Sequence, residues 1–149
     1  MKYFYINHFI NILIKTKYSM EQESPADKLI KIAEEKIGCA YEYGAAGPDK
    51  FDCSGLVQWC HAQINVTVPR TSGEQYSQGS AATGAKGDLV FFKKQGKINH
   101  VGICDGNGYM INAQNSGVKK VKISDVKPNW GMGTNCGYKK FLWFSIKIF

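Results

Sequence analysis

The chain has 149 residues, 44% hydrophobic and 21% charged. That fits one globular domain and excludes disordered, collagen-like and coiled-coil classes. The net charge of +7 is uneven: residues 1–19 carry three lysines and no acid, residues 20–53 carry eight acids against four lysines, and the basic excess lies in 54–149. A basic half either meets an acidic polymer or simply solubilises the surface. No stretch approaches the ~20 apolar residues of a membrane span, so no integral membrane segment is expected.

Residues 1–19 are rich in Phe, Ile, Lys, Asn and Tyr and hold no Gly, Ala or Pro. Lys2 followed by Phe9 to Ile14 resembles a signal peptide, but Asn7, His8 and Asn11 interrupt the apolar run and no small-x-small site follows. The alternative is a gene-model extension ahead of Met20. Either way this segment is expected to lie outside the fold, with the domain over 20–140.

Ser24-Pro25-Ala26-Asp27 reads as a helix start, with Ser24 capping and Pro25 at the first helical position. Leu29, Ile30, Ala33 and Ile37 recur at helical spacing before a stop at Gly38. Residues 41–49 read as a loop. A second helix is expected from Cys53 to Asn65, capped by Asp52, with Leu56, Val57, Cys60 and Ile64 as its buried stripe. Thr71-Ser72-Gly73-Glu74 is a capping box for a short helix. Strands follow at Leu89–Phe92, Asn99–Cys104, Tyr109–Gln114 and Val118–Ile123, with a turn at Asp105–Gly108. Residues 141–149 read as a terminal strand or a tail. Helices first and strands after make the fold class α+β, with N-terminal helices on an antiparallel sheet.

Five cysteines contain no C-x-x-C pair and the three histidines are scattered, so no metal and no cofactor are expected. Cys60, on its helix stripe, reads as a small core residue. Cys53 differs: at a helix N-terminus, unpaired N–H groups and the helix dipole favour thiolate, the nucleophilic form. Such a thiol needs a histidine base held by a third polar group. His8 lies in the doubtful extension, and His61 is too far along the same helix. His100 remains, on the strand face opposite Val101 and Ile103. Asn112 is the expected orienting group. A two-residue loop at Gly106-Asn107 would turn Asn112 away. An odd-numbered loop of three or five residues is expected, setting His100 directly across the ladder from Asn112, with Gln114 as the fallback.

Set in order, these residues resemble the NlpC-type bacterial cell-wall cysteine peptidases, a papain-like superfamily. The matching stretches are Ile37-Gly38 with Tyr41 and Gly44, Phe51-Asp52-Cys53-Ser54-Gly55-Leu56-Val57, and Val68-Pro69-Arg70-Thr71-Ser72 with Gln75-Tyr76. They continue through Gly87-Asp88-Leu89-Val90-Phe91-Phe92, His100-Val101-Gly102-Ile103 and Gly106 to Ala113. The resemblance implies catalytic Cys53, His100 and Asn112, and an oxyanion held by the Cys53 N–H with help from Tyr41. It implies peptidoglycan stem peptides or muropeptides as substrate, cut between D-glutamate and diaminopimelate or lysine. Asp52 and Ser54 stand where relatives receive a free stem-peptide amine; the competing readings are Asp52 as a cap alone and Tyr41 as packing alone. Arg70 binds a substrate carboxylate or braces its loop. Many relatives carry His where this chain has Asn112, and Gly44-Ala45 replaces a usual glycine pair. A secreted or extracytoplasmic monomer that does not bind nucleic acid is expected. Amidase or acyltransferase chemistry, or a non-catalytic wall-binding role, are the competing readings.

Overall fold

A computed structural model describes residues 2–20, 22–127 and 131–143. The first element, α1 (Lys2–Met20), is a helix whose side chains from Tyr3 to Tyr18 are all exposed. α2 (Pro25–Glu35) starts as its sequence dictates. The Ser24 hydroxyl accepts from the Asp27 N–H at 3.1 Å, and Ala26, Leu29, Ile30 and Ala33 are buried. Ile37 does not extend that stripe: the helix has ended, and Ile37 is exposed.

Two short parallel strands, β1 (Ala40–Tyr41) and β2 (Lys50–Phe51), bracket the segment read as loop. α3 (Cys53–Ala62) buries Leu56, Val57 and Cys60. α4 (Ser72–Gln78) carries the expected capping box, Thr71 and Glu74 each satisfying the other's backbone N–H.

The sheet contains β3 (Ser80–Ala81), β4 (Leu89–Lys94), β5 (Lys97–Cys104), β6 (Tyr109–Gln114), β7 (Gly117–Lys122) and β8 (Thr134–Lys140). It runs β3-β8-β4-β5-β6-β7, and every pairing is antiparallel. Helices on an antiparallel sheet are the α+β arrangement expected.

Alternation along the strands divides the core in two. Leu89, Phe91, Val101, Ile103, Ile111 and Ala113 pack with α2 and α3, while Val90, Phe92, Cys104 and Met110 pack with Met132 beyond the other face. With both faces covered, β4 reads as an unbroken apolar run rather than an alternating one.

β8 is absent from the sequence reading because Gly133, Asn135 and Gly137 disguise it. A bulge in its pairing with β4 absorbs the irregularity. The expectation for 141–149 changes accordingly. Residues 141–143 are not a strand, and Phe141 and Leu142 pack into the main core, so the domain continues past 140. Residues 144–149 lie outside the described residues. Among the described residues, no helix is long and apolar enough to cross a membrane.

Candidate active site

Cys53 opens α3 because Asp52 caps it: the Asp52 carboxylate accepts from the Gly55 N–H at 2.7 Å. Gly55 is needed in that turn. A Cβ there would run into the Ala45 carbonyl oxygen and would also crowd Ala46. The same close approach lets the Asp52 N–H reach the Ala45 carbonyl at 2.8 Å, which folds the 44–46 loop over the helix start.

Asp52 is more than a cap. Its carboxylate also accepts from Gly44 N–H at 2.9 Å, from the Ser54 hydroxyl at 3.3 Å, and from both Arg70 nitrogens at 3.0 and 2.7 Å. Burial opposes its charge. The forked Arg70 guanidinium and the Gly55 and Gly44 N–H groups outweigh burial and hold the carboxyl below the usual range. Arg70 also donates to the Ser54 hydroxyl at 3.0 Å. Of the two roles expected for Arg70, bracing is the one the hydrogen bonds make.

Gln75 completes this side and had no role in the sequence reading. Fully buried in α4, its Nε2 donates to the carbonyls of Ser54 at 3.1 Å and Pro69 at 2.8 Å. It thereby ties the first turn of α3 to the Arg70 segment. The signal was a glutamine inside a short capped helix, whose amide must find partners once buried.

His100 and Asn112 meet, but not in the way expected. The β5–β6 ladder pairs Ile103 with Ile111 and Cys104 with Met110, leaving an odd loop of five residues. Continued along the strands, that register sets Gly102 opposite Asn112 and His100 opposite Gln114. His100 and Asn112 therefore share a face as diagonal neighbours rather than as a direct pair, within reach for long side chains. The His100 Nε2 lies 2.8 Å from Asn112 Oδ1. Asn112 Nδ2 donates to the Lys119 carbonyl at 3.1 Å, which fixes the amide so that its oxygen faces the ring. The proton must then sit on Nε2, leaving Nδ1 bare as an acceptor.

Charge at the thiol differs from expectation as well. Burial, with the Asp52 charge behind it, pushes the Cys53 thiol up, against the pull of the N–H groups of Val101, Ser54 and Cys53 itself. The helix start alone does not make it a thiolate. Burial pushes His100 down to about 4, against the Asn112 hydrogen bond. Both shifts favour the uncharged thiol and imidazole.

Tyr41, Asp52, Cys53, Ser54, Arg70 and His100 all line one cleft of about 870 Å³; Asn112 lies buried behind His100. Ala113 to Ser116, Gly131 and Met132 also line it. Burial, with the charges of Cys53 and Asp52, raises the Tyr41 hydroxyl, so it stays a donor. Among the described residues, no group of His, Cys, Asp and Glu is placed to hold a metal ion.

A cysteine opening a helix and a strand histidine across one cleft, with helices packed on an antiparallel sheet, is the layout of the papain-like fold. Comparison with known proteins narrows this. The model of the NlpC/P60 family matches residues 38–135. A probable endopeptidase p60 of Listeria seeligeri is 46% identical over 106 residues, covering 69% of this chain and 20% of that protein. The bifunctional muramidase/DL-endopeptidase CwlT of Bacillus subtilis is 41% identical over 111 residues, covering 70% of this chain and 33% of that protein. The crystal structure of an NlpC/P60 family protein from Bacillus cereus superposes with a TM-score of 0.73 at 27% identity, covering 82% of this chain and 42% of that one. The chain belongs to the NlpC/P60 family. It spans a third or less of the length of the two curated relatives described.

Proposed function

We propose that this protein is a cysteine endopeptidase that hydrolyses peptidoglycan stem peptides between D-glutamate and diaminopimelate or lysine. The observation that carries the reading is the His100–Asn112 hydrogen bond of 2.8 Å, with Cys53 on the same cleft. The relatives' names, endopeptidase and DL-endopeptidase, support cleavage of a D,L-peptide bond.

The chemistry follows from the tautomer. Bare Nδ1 of His100 takes the Cys53 proton as the thiol attacks the amide carbonyl. The tetrahedral oxyanion is held by the Cys53 backbone N–H and the Tyr41 hydroxyl. The C–N bond breaks as the imidazolium returns its proton to the leaving amine. Water, deprotonated by His100, then cleaves the thioester and restores the thiol.

Asp52 and Ser54 border the cleft where a free stem-peptide amine would dock. Asp52 is already met by five donors, so it offers an amine negative potential rather than an empty lone pair. The catalytic unit in this reading is 20–140 together with Phe141 and Leu142, acting outside the cytoplasm where its substrate lies.

Digestion of whole sacculi and of free stem peptides, resolved by mass spectrometry, tests the proposal. Wild type should release products split after D-glutamate, and Cys53→Ala should release none while keeping its thermal unfolding. Turnover unchanged in Cys53→Ala refutes the mechanism. Products of amide exchange or side-chain deamidation would point instead to an acyltransferase or amidase.

A further inference from the structure

Among the described residues, the exposed large apolar side chains concentrate on α1, and the proposed peptidase chemistry makes no use of it. Tyr3, Phe4, Tyr5, Ile6, Phe9 and Leu13 are among its exposed side chains, Phe4 at 87% and Leu13 at 60%. Elsewhere the exposed large apolar residues, such as Ile37, Tyr43, Tyr109 and Trp143, stand singly along the chain. Scattered exposure of that kind is ordinary, whereas a contiguous apolar surface along a whole helix marks a binding face.

The helix is not apolar all round. Asn7, Asn11 and Lys15 recur at four-residue spacing, with His8 beside them, and make one narrow polar stripe. Ile6, Phe9, Ile10 and Leu13 follow the i, i+3, i+4, i+7 pattern on the remaining surface. That stripe runs through the middle of the helix, from Asn7 to Lys15, and suits a helix lying in an interface plane with the stripe toward water.

Charge selects the occupant. The segment holds Lys2, Lys15 and Lys17 and no acidic residue. A second copy of the same helix would bring lysine toward lysine with no carboxylate to pair, whereas an anionic lipid surface attracts each of them. Tyrosines near both ends, Tyr3, Tyr5 and Tyr18, bracket a middle of Phe, Ile and Leu, as amphipathic rings do at headgroup level.

We propose that α1 lies along an anionic phospholipid surface and holds the domain there. The attachment is separate from the Cys53 chemistry, so it stands or falls independently of the peptidase reading.

Sedimentation of the full chain with vesicles tests it, one set of phosphatidylcholine with phosphatidylglycerol in equal parts and one of phosphatidylcholine alone. The protein should sediment with the anionic vesicles and far less with the neutral ones. Phe9→Asp with Leu13→Asp should abolish binding. Lys15→Gln with Lys17→Gln should weaken it roughly thirty-fold, from the usual worth of a lysine at an anionic surface. The altered side chains are all exposed, so thermal unfolding of the domain should not change, which separates lost binding from lost fold. Failure to sediment with anionic vesicles overturns the proposal, as does binding that ignores the apolar substitutions. A dimer in light scattering that Leu13→Asp dissociates, without vesicle binding, overturns it in favour of a second copy.

Discussion

Replacing His61 by leucine should flatten the acid sensitivity of the fold. His61 and His100 are both buried and neutral, at 0% and 6% exposure. Burial holds each at about 4, against an ordinary value of 6.5. His61 has no catalytic neighbour. Its Nδ1 donates to the Val57 carbonyl at 2.8 Å, and its Nε2 has no partner.

The unfolded chain takes up a proton at each imidazole near pH 6.5, while the folded chain resists until about 4. The stability tied to each ring is therefore full above pH 6.5 and is lost as pH falls toward 4. From pH 7 to pH 5 each ring costs about 2 kcal/mol, and the pair about 4 kcal/mol, a large part of a typical domain's 5–15 kcal/mol. Asp52 and Asp105 have depressed values below an ordinary 3.8, so their loss comes at lower pH and does not blur this window. Urea unfolding of wild type and His61→Leu at pH 7, 6 and 5 measures the difference. The variant should lose about half as much stability as wild type over that range. Equal losses in the two proteins, or no loss in wild type, would refute the reasoning.

Arg70→Met leaves the Asp52 carboxylate buried without its fork. After allowing for Arg70 being 34% exposed, the cost should be about 2 kcal/mol in thermal or urea unfolding, and Arg70→Lys should recover little of it. Gly55→Ala forces the Ala45 carbonyl away from α3, so both unfolding stability and peptide turnover should fall; an unchanged turnover would contradict the close approach. With His100 near 4, the acid limb of kcat/KM should lie well below pH 6.5. Asn112→Ala should move that limb lower still and cut kcat at least about tenfold, as read from a pH–rate profile.

Much of this arrangement was legible because it rests on local chemistry. Ser24, Asp52 and Thr71 each sit where an orphaned N–H needs an oxygen, and each helix begins there. Cys53 and His100 stood out because a cysteine at a helix start and a histidine on a strand face are few among 149 residues. What was hidden depends on long-range geometry. β8 pairs with β3 and β4 across the chain, and Gly137 within it and Gly133 just before it carry no strand signal. The diagonal between His100 and Asn112 depends on how the loop is placed as well as on its length. The raised Cys53 thiol reflects burial beneath neighbours that no local pattern names. The fork of Arg70 on Asp52 joins residues eighteen apart, and no local pattern pairs the two.

The lining of the cleft is built on two unlike principles. Asp52 gathers the 44–46 loop, the start of α3 and the Arg70 segment onto a single carboxylate, and Gln75 locks the same turn from behind. No residue there changes without disturbing the others. Gln114, which ends β6, and the Asn115-Ser116 turn before β7 line the same cleft without joining that network. In the proposed peptidase, variation in which stem peptide is accepted would accumulate at these positions rather than in the Asp52 network. A library aimed at new specificity belongs at 114–116.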